Sequence, residues 1–437
     1  MKPSRYEVTV DQLRWRCDPA RFEFDGTDSI ASLQEFIGQD RAIRAIDFGL
    51  SMGRDGYNIY ISGLAGTGKT TVAKTHIQKL IEERRRSGET YHVSDWCYIY
   101  NFTNSDRPRI VKLERGKGRE FRDDISGLLE HLKRELVKAF SSDEYKAQRK
   151  SMLEEGQARQ QAIFADLRAE AQQHGFIIQM TPTGAALVPL KDGKGLSQEE
   201  FMALGDDERK EIESRRNAVR KEMETAFEQA QEIERTTTER LQEADLEVAE
   251  NTASRLFKGP MEKYADSDSI ARYLEELKKY TLENLDLFKG ESEEKPDEAI
   301  GLSGIGSRRG GDRFLPFSVN LFVDNSEMEG PPTVVETNPN FVNLFGKIER
   351  RFVLGGYVSD HTMLKPGAFH AANGGYLLLS AMDVLSNTAV WPALKRVLKT
   401  RELTIEEPFE QLGLITPQGM RPHSMPMDVK VILIGDS

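Results

Sequence analysis

Cysteine is scarce in this chain, and so are long apolar runs and excess positive charge. The 437 residues include only two cysteines, Cys17 and Cys97, too few for a disulfide framework or a cysteine-based zinc site. No window approaches the roughly 20 apolar residues of a membrane span, and the N-terminus lacks the apolar core of a signal peptide. These absences predict a cytoplasmic protein in a reducing compartment, without a membrane partner.

Charge and histidine spacing exclude further classes of protein. The formal net charge is −11, which argues against a general nucleic-acid-binding surface. The seven histidines show no metal-ligand spacing along the chain, and no G-x-S-x-G sequence marks a nucleophilic serine. A chain of this length is expected to contain two or three units with separate cores.

The most informative stretch is GLAGTGKTT at 63–71, which fits the pattern G-x-x-x-x-G-K-[ST] at every fixed position. A β-rich segment precedes it and apolar residues at helical spacing follow it. In this setting backbone N–H groups wrap the phosphates of ATP, Lys69 reaches the β- and γ-phosphates as a catalytic group, and Thr70 offers its hydroxyl to Mg²⁺. The predicted nucleotide-binding residues of the loop are Gly63, Leu64, Ala65, Gly66, Thr67, Gly68, Lys69, Thr70 and Thr71.

Two further segments are candidates for nucleotide contact by their position. Ile37 and Gly38 precede a predicted helix about 25 residues ahead of the loop, where ATPases of the AAA+ class place a segment over the adenine. A plain helix cap is the alternative. Asp436 follows the last apolar strand, where a polar residue often senses the γ-phosphate.

The second half of the predicted site departs from the usual pattern. P-loop ATPases hold Mg²⁺ with an acid at the end of a neighbouring strand, and AAA+ enzymes add a Glu that activates water. The apolar run 376–379 puts Ser380 and Ala381 at these two positions, so both expected acids are absent. Asp383 is then the candidate for the metal and catalytic roles, and an N-cap of the following helix is its alternative. Loss of such a group typically costs about 10²–10⁴-fold in rate, which leaves slow hydrolysis open.

Composition divides the chain into five segments and predicts an α/β fold. The fold is a P-loop parallel sheet with helices on both faces, interrupted by a long helical insertion. A strand over 95–101 is expected to belong to this parallel sheet. The segments are an N-terminal leader at 1–30, the first part of the core at 31–120, the insertion at 121–290, a mobile loop at 291–313 and the second part of the core at 314–437.

The insertion carries apolar positions at heptad spacing, which predict a coiled coil. Its antiparallel partner is expected between Leu128 and about Gln173, with a small β-hairpin over 176–189 between the two helices. This arm is either a lever that contacts a partner or a solvated structural insertion. The residues at heptad spacing are Ile212, Val219, Ala226 and Ile233 in one row and Met223, Ala230, Thr237 and Ala244 in the other.

Seven stretches taken together match one known pattern. They lie at 63–71, 95–102, 107–124, 319–325, 338–351, 365–379 and 427–436. Together they resemble the ATPase half of Lon-like ATP-dependent proteases, in the bacterial branch with a long helical insertion.

The resemblance implies an AAA+ ring, expected to be a homo-hexamer, that feeds polypeptide substrates to a peptidase domain with a Ser–Lys dyad. Because the sequence stops just after a core strand, that C-terminal peptidase domain is expected beyond residue 437. The family's nucleotide role extends to Lys69 and the loop around it, but not to Ser380 or Ala381. By similarity to Lon-type pores, Phe345 or Tyr357 is expected to grip the polypeptide, and for either one singly a place in the apolar core is the alternative.

Two other functions stay open. One is a nucleotide-gated coiled-coil scaffold with weak or no ATP hydrolysis, which the missing acids favour. The other is a DNA-associated ATPase with a coiled-coil insertion. The acidic balance of the chain counts against DNA as a partner.

Overall fold

The protein was analysed as a computed structural model, in which Ile37 and most of the predicted mobile loop lie outside the described residues. The structure describes residues 7–30, 38–53, 56–89, 91, 93–181, 184–191, 194–196, 198–202, 204–289, 312–353, 356–406 and 419–436. Its strands are β1 (Ile59–Ser62), β2 (Ser94–Ile99), β3 (Arg109–Glu114), β4 (Phe176–Thr181), β5 (Gly184–Lys191), β6 (Lys194–Gly195), β7 (Asn320–Val323), β8 (Thr333–Glu336), β9 (Lys347–Ile348), β10 (Arg351–Val353), β11 (Gly356–Val358), β12 (Leu364–Lys365), β13 (Gly375–Ser380), β14 (Glu402–Leu403), β15 (Met425–Pro426) and β16 (Val429–Gly435). Its α-helices are α1 (Asp40–Ser51), α2 (Lys69–Arg86), α3 (Lys117–Ser141), α4 (Asp143–Gln173), α5 (Gln198–Met202), α6 (Asp206–Lys263), α7 (Asp268–Glu283), α8 (Phe341–Phe345), α9 (Ala368–Ala371), α10 (Ala381–Ser386) and α11 (Val390–Thr400).

A four-stranded parallel sheet with the order β1-β16-β13-β8 forms the first core. β13 is buried from Gly375 to Leu379, and its unbroken apolar run is typical of a parallel strand that is covered on both faces. Helices α1 and α2 pack on one face of the sheet. Helices α8 to α11 contribute to the apolar cluster on the other face. The predicted α/β class, with a parallel sheet between layers of helices, is confirmed.

The strand predicted over 95–101 does not belong to the parallel sheet, and that prediction is wrong. It forms β2, which pairs antiparallel with β3 and β7 in a separate three-stranded sheet. Trp96 and Tyr98 pack into the cluster that covers the parallel sheet, whereas Cys97 and Ile99 pack into the cluster of the helical insertion. Successive side chains of a strand point to opposite faces, so β2 is buried on both faces. In sequence it therefore looks like a central parallel strand.

The buried side chain of Asp95 connects β2 to the start of α3 and the end of β7. Its Oδ2 accepts the backbone N–H of Gly118 at 2.9 Å, and its Oδ1 accepts the backbone N–H of Asn325 at 2.9 Å. The two hydrogen bonds offset the desolvation of the carboxylate, and they tie the start of α3 and the end of β7 to β2. Gly118 is required for this approach, because a Cβ there would lie 2.8 Å from the Asp95 Cβ.

The insertion is built around α6, a helix of 58 residues. It runs antiparallel to α4, since Phe164 of α4 stacks edge-on against Phe227 while Tyr145, earlier in α4, donates a hydrogen bond to Asp245. The expected hairpin between the two helices is confirmed as the antiparallel pair β4–β5. The helix pair is present as predicted, and its classification as a coiled coil stays a prediction. From the two heptad rows, the residues buried in the structure are Val219, Ala226, Ala230 and Ala244.

Gly156 marks the closest approach of α4 to α6 and supplies a test of this packing. A Cβ at Gly156 would lie 2.6 Å from Thr237 Oγ1 and 3.3 Å from Thr237 Cβ. Gly156→Ala is therefore expected to destabilise the protein by about 1–3 kcal/mol, the usual cost of overpacking, measured as a lower midpoint of thermal unfolding by circular dichroism. The double variant Gly156→Ala/Thr237→Ala should recover much of this loss.

Gly127 in α3 is the matched control, because a Cβ there meets nothing within 4 Å. Gly127→Ala is expected to raise the midpoint through its gain of about 0.5–1 kcal/mol in helix stability. Equal stabilisation by Gly156→Ala and Gly127→Ala would contradict the tight packing of the two helices.

Candidate functional site

The loop between β1 and α2 has the geometry of a phosphate cradle. Gly66 and Gly68 adopt φ of 78° and 75°, in the left-handed region that disfavours side chains. A Cβ at either position would meet nothing within 4 Å, so the backbone conformation, not crowding, requires glycine here. The loop ends at Gly68, the N-cap of α2. The first N–H groups of a helix have no partner within it, and the helix dipole adds positive potential, so this end of α2 suits an anionic phosphate.

Lys69 is held in the loop by three acceptors. Its Nζ donates to the carbonyl oxygens of Gly63 at 2.6 Å and Leu64 at 2.9 Å, and to Oδ1 of Asp436 at 2.9 Å. An ammonium group has three N–H donors, so these three acceptors engage all of them. The Lys69 side chain is 12% exposed and that of Asp436 is 65% exposed. A phosphate that takes the Lys69 ammonium must therefore compete with Asp436.

Asp436 reaches Lys69 because β16 pairs directly with β1. The register aligns Ser62 with Gly435, and the carboxyl ends of parallel strands meet at one edge of a sheet. The structure thus brings together two residues that the sequence analysis places at the nucleotide on separate grounds. Thr70 and Thr71 lie in the first turn of α2 beside them.

The end of β13 lies one strand further from the loop and carries no acid. Ser380 caps α10, with its Oγ accepting the backbone N–H of Asp383 at 3.4 Å, so the alternative assignment of Asp383 as the N-cap is wrong. Ala381 is 3% exposed, and a Glu there would bury its carboxylate at high cost. Asp383 is exposed in the first turn of α10, and within the described residues no hydrogen bond or ion pair joins it to Lys69 or Thr70.

The remaining candidates separate into exposed and buried positions. Gly38 is exposed ahead of α1 with φ of 81°, and Ile37 next to it lies outside the described residues. Phe345 is buried in the core that covers the parallel sheet, so it is not an accessible grip for a polypeptide. Tyr357 is 71% exposed.

His370 is a structural residue before β13. It is fully buried, its Nδ1 accepts the backbone N–H of Gly367 at 3.1 Å, and burial lowers its pKa to about 3. The imidazole is therefore neutral at physiological pH and shapes the turn into β13, a role that its linear sequence context does not reveal.

Comparisons with known proteins agree with this geometry. Residues 329–437 match the family model of the LonB-like AAA domain, and residues 95–128 match that of the Lon-like LonC helical domain. Together with the relative described next, these matches support a Lon-like AAA+ protein. The AAA domain implies nucleotide binding. The phosphate loop itself lies outside both matched ranges, and its assignment rests on its own sequence and geometry.

One curated protein similar to part of this chain is a Haemophilus influenzae protein named as a Lon protease homolog. The two are 36% identical over 80 residues, which are 18% of this chain and 12% of that relative. The match thus spans a small part of the relative's own length. Within the described residues, no helix combines the length and the apolar character of a membrane span.

Lys69 and Asp436 are expected to affect nucleotide binding in opposite directions. Lys69→Ala removes the cation that meets the β- and γ-phosphates, so binding of a fluorescent ATP analogue with Mg²⁺ should be lost. Asp436→Asn frees Lys69 and removes a negative charge near the phosphates. Because an exposed ion pair contributes up to about 1 kcal/mol, this variant should bind the analogue about 2–5-fold tighter.

Lys74→Ala is the control, since Lys74 is exposed on the same helix and should leave the affinity unchanged. Unchanged affinity in Lys69→Ala would overturn the assignment of the phosphate loop.

Proposed function

We propose that this chain is the ATP-binding motor module of a Lon-like ATP-dependent serine protease. In this proposal a homo-hexameric AAA+ ring uses ATP to unfold polypeptide substrates and deliver them to a C-terminal peptidase domain. The observation that carries the proposal is that Lys69 of the phosphate loop meets Asp436 at the carboxyl edge of the parallel sheet, the edge at which a Lon-like AAA+ core would bind the phosphates of ATP. No role for DNA is proposed.

The proposed nucleotide site uses groups from three elements. The loop 63–68 and the first turn of α2 would hold the phosphates, with Lys69 moving from Asp436 to the β- and γ-phosphates. Mg²⁺ bound with ATP would neutralise phosphate charge and orient the triphosphate. Thr70 would offer its hydroxyl to the metal, and Asp383 would contribute a carboxylate through water.

An exposed aromatic pair supports the proposed handling of polypeptides. Phe352 on β10 lies opposite Tyr357 on β11, with ring centroids 5.3 Å apart. The two side chains are 64% and 71% exposed, although aromatic residues are normally buried. Exposed apolar patches mark interaction sites. Of the two residues expected to grip polypeptide, Tyr357 lies in this exposed patch, whereas Phe345 is excluded because it is buried.

Tyr357→Ala is expected to weaken the grip on polypeptide without changing nucleotide affinity. The measurement is fluorescence anisotropy of labelled, unfolded casein with the assembled chain and ATP, and the expected loss of affinity is about 5-fold or more, in the range of an interface aromatic. Tyr57→Ala is the control, because Tyr57 is also an exposed tyrosine but lies away from this hairpin. Equal casein affinity of the Tyr357 and Tyr57 variants would contradict the proposed role.

A second candidate is the nucleotide-gated scaffold with little hydrolysis, and one observation favours it. Ser380 is occupied as the cap of α10, Ala381 is buried, and neither carries an acid. Nucleotide would then change the conformation of the core and its helical arm without rapid turnover.

Asp383 separates the two candidates. If it supplies the missing acid of a motor, Asp383→Asn should lower the rate of ATP hydrolysis about 100-fold, at the lower end of losses on removing such a group, with nucleotide affinity preserved. Met382→Ala is the matched control, since Met382 is exposed in the same turn. We expect a slow but Asp383-dependent ATPase. Slow hydrolysis that is identical in the native chain and in Asp383→Asn would establish the scaffold instead.

A further inference from the structure

Three potential metal ligands meet on the helical arm, although the linear spacing of the histidines gives no sign of them. Glu170 and His174 lie four residues apart at the end of α4, and Glu222 lies on α6. One ligand atom of each lies within 4.8 Å of the others. Residues four apart share one face of a helix, so Glu170 and His174 present a carboxylate and an imidazole side by side.

The register of the two helices brings Glu222 opposite this pair. Arg240 of α6 pairs with Glu155 of α4 at 3.1 Å, and further along the same two helices Phe227 stacks on Phe164. If the antiparallel pairing of α4 and α6 continues in this register, the helical turn that carries Glu222 lies opposite the helical turn that carries Glu170. The cluster thus follows from the packing of the whole arm rather than from one flexible side chain.

Glu222 is left without a partner inside this cluster. Its Oε2 is buried and makes no hydrogen bond. Within the described part of the chain, no hydrogen bond or ion pair engages the side chains of Glu170 and His174 either. An unpaired buried carboxylate oxygen is costly, and a second carboxylate nearby raises that cost. A bound cation would remove both penalties.

We propose that Glu170, His174 and Glu222 form a Zn²⁺ site that links α4 to α6 beside the β4–β5 hairpin. The donor set of one imidazole nitrogen and two carboxylate oxygens suits a borderline divalent metal, whereas Mg²⁺ and Ca²⁺ favour oxygen ligands alone. Zinc bonds of about 2.0–2.2 Å require the three side chains to close in by small rotations. Water completes the coordination shell, and the metal holds the hairpin end of the arm in one register.

The test is a titration of the metal-free full chain with Zn²⁺ alone, without nucleotide, followed by calorimetry. We expect one site per chain that depends on all three residues. His174→Ala and the near-isosteric Glu222→Gln should each weaken binding at least about 10-fold. His131→Ala is the matched control, because His131 is exposed on α3 outside the cluster and should leave the affinity unchanged.

Thermal unfolding distinguishes loss of a ligand from damage to the fold. Metal-free Glu222→Gln should unfold at the same temperature as the native chain or higher, since the variant removes the charge of a carboxylate whose Oε2 is buried without a hydrogen bond. Zn²⁺ should raise the midpoint of the native chain but not that of Glu222→Gln. Equal affinity of the native chain and the double variant His174→Ala/Glu222→Gln, or no stoichiometric binding to the native chain, would overturn the site.

Discussion

The pairing of β1 with β16 is the contact on which the nucleotide site depends. It joins a strand that begins at Ile59 to one that ends at Gly435, so the phosphate loop and Asp436 meet across most of the length of the chain. Closing such a loop costs conformational entropy that grows only slowly with its length. The continuous apolar strands of the parallel sheet offset that cost by burial, and the Lys69–Asp436 contact forms as a consequence of the register.

β2 connects the core that covers the parallel sheet to the core of the helical insertion. Its two faces lie in two different apolar clusters, one over the parallel sheet and one around α3, α6 and α7. The buried carboxylate of Asp95 fixes the ends of α3 and β7 against the same strand. A shift of β2 would therefore disturb both clusters, because close-packed interiors transmit displacement rather than absorb it. β2 is thus the strand shared by the apolar cluster over the parallel sheet and the apolar cluster around α6.

The sequence predicted the features that depend on a local residue pattern. It failed for the features that depend on how strands and helices pair in the folded chain. The phosphate loop is specified by glycines that need left-handed φ and by a lysine at fixed spacing, and the hairpin of the arm is specified by two short apolar segments on either side of a turn. β2 was misassigned because burial on both faces looks the same in sequence whether its neighbours run parallel or antiparallel. The cluster of Glu170, His174 and Glu222 was missed because its third member comes from another helix. No linear spacing encodes the register between two helices.

In the proposed function, the use of nucleotide depends on where the core places its acidic side chain, which lies after β16 and not at the end of β13. At the end of β13, the Ser380 side chain accepts a backbone N–H of α10 and Ala381 is buried in the core. AAA+ enzymes usually have carboxylates at these two positions, whereas here both residues stabilise the local fold. The carboxylate that does lie at the loop, Asp436, contacts Lys69, the lysine proposed to bind phosphate. In the proposed function, the negative phosphates would compete with Asp436 for the Lys69 ammonium, so nucleotide binding would favour a displacement of residue 436. Because β16 pairs with both β1 and β13, such a displacement would act on the strand that joins the two halves of the proposed site.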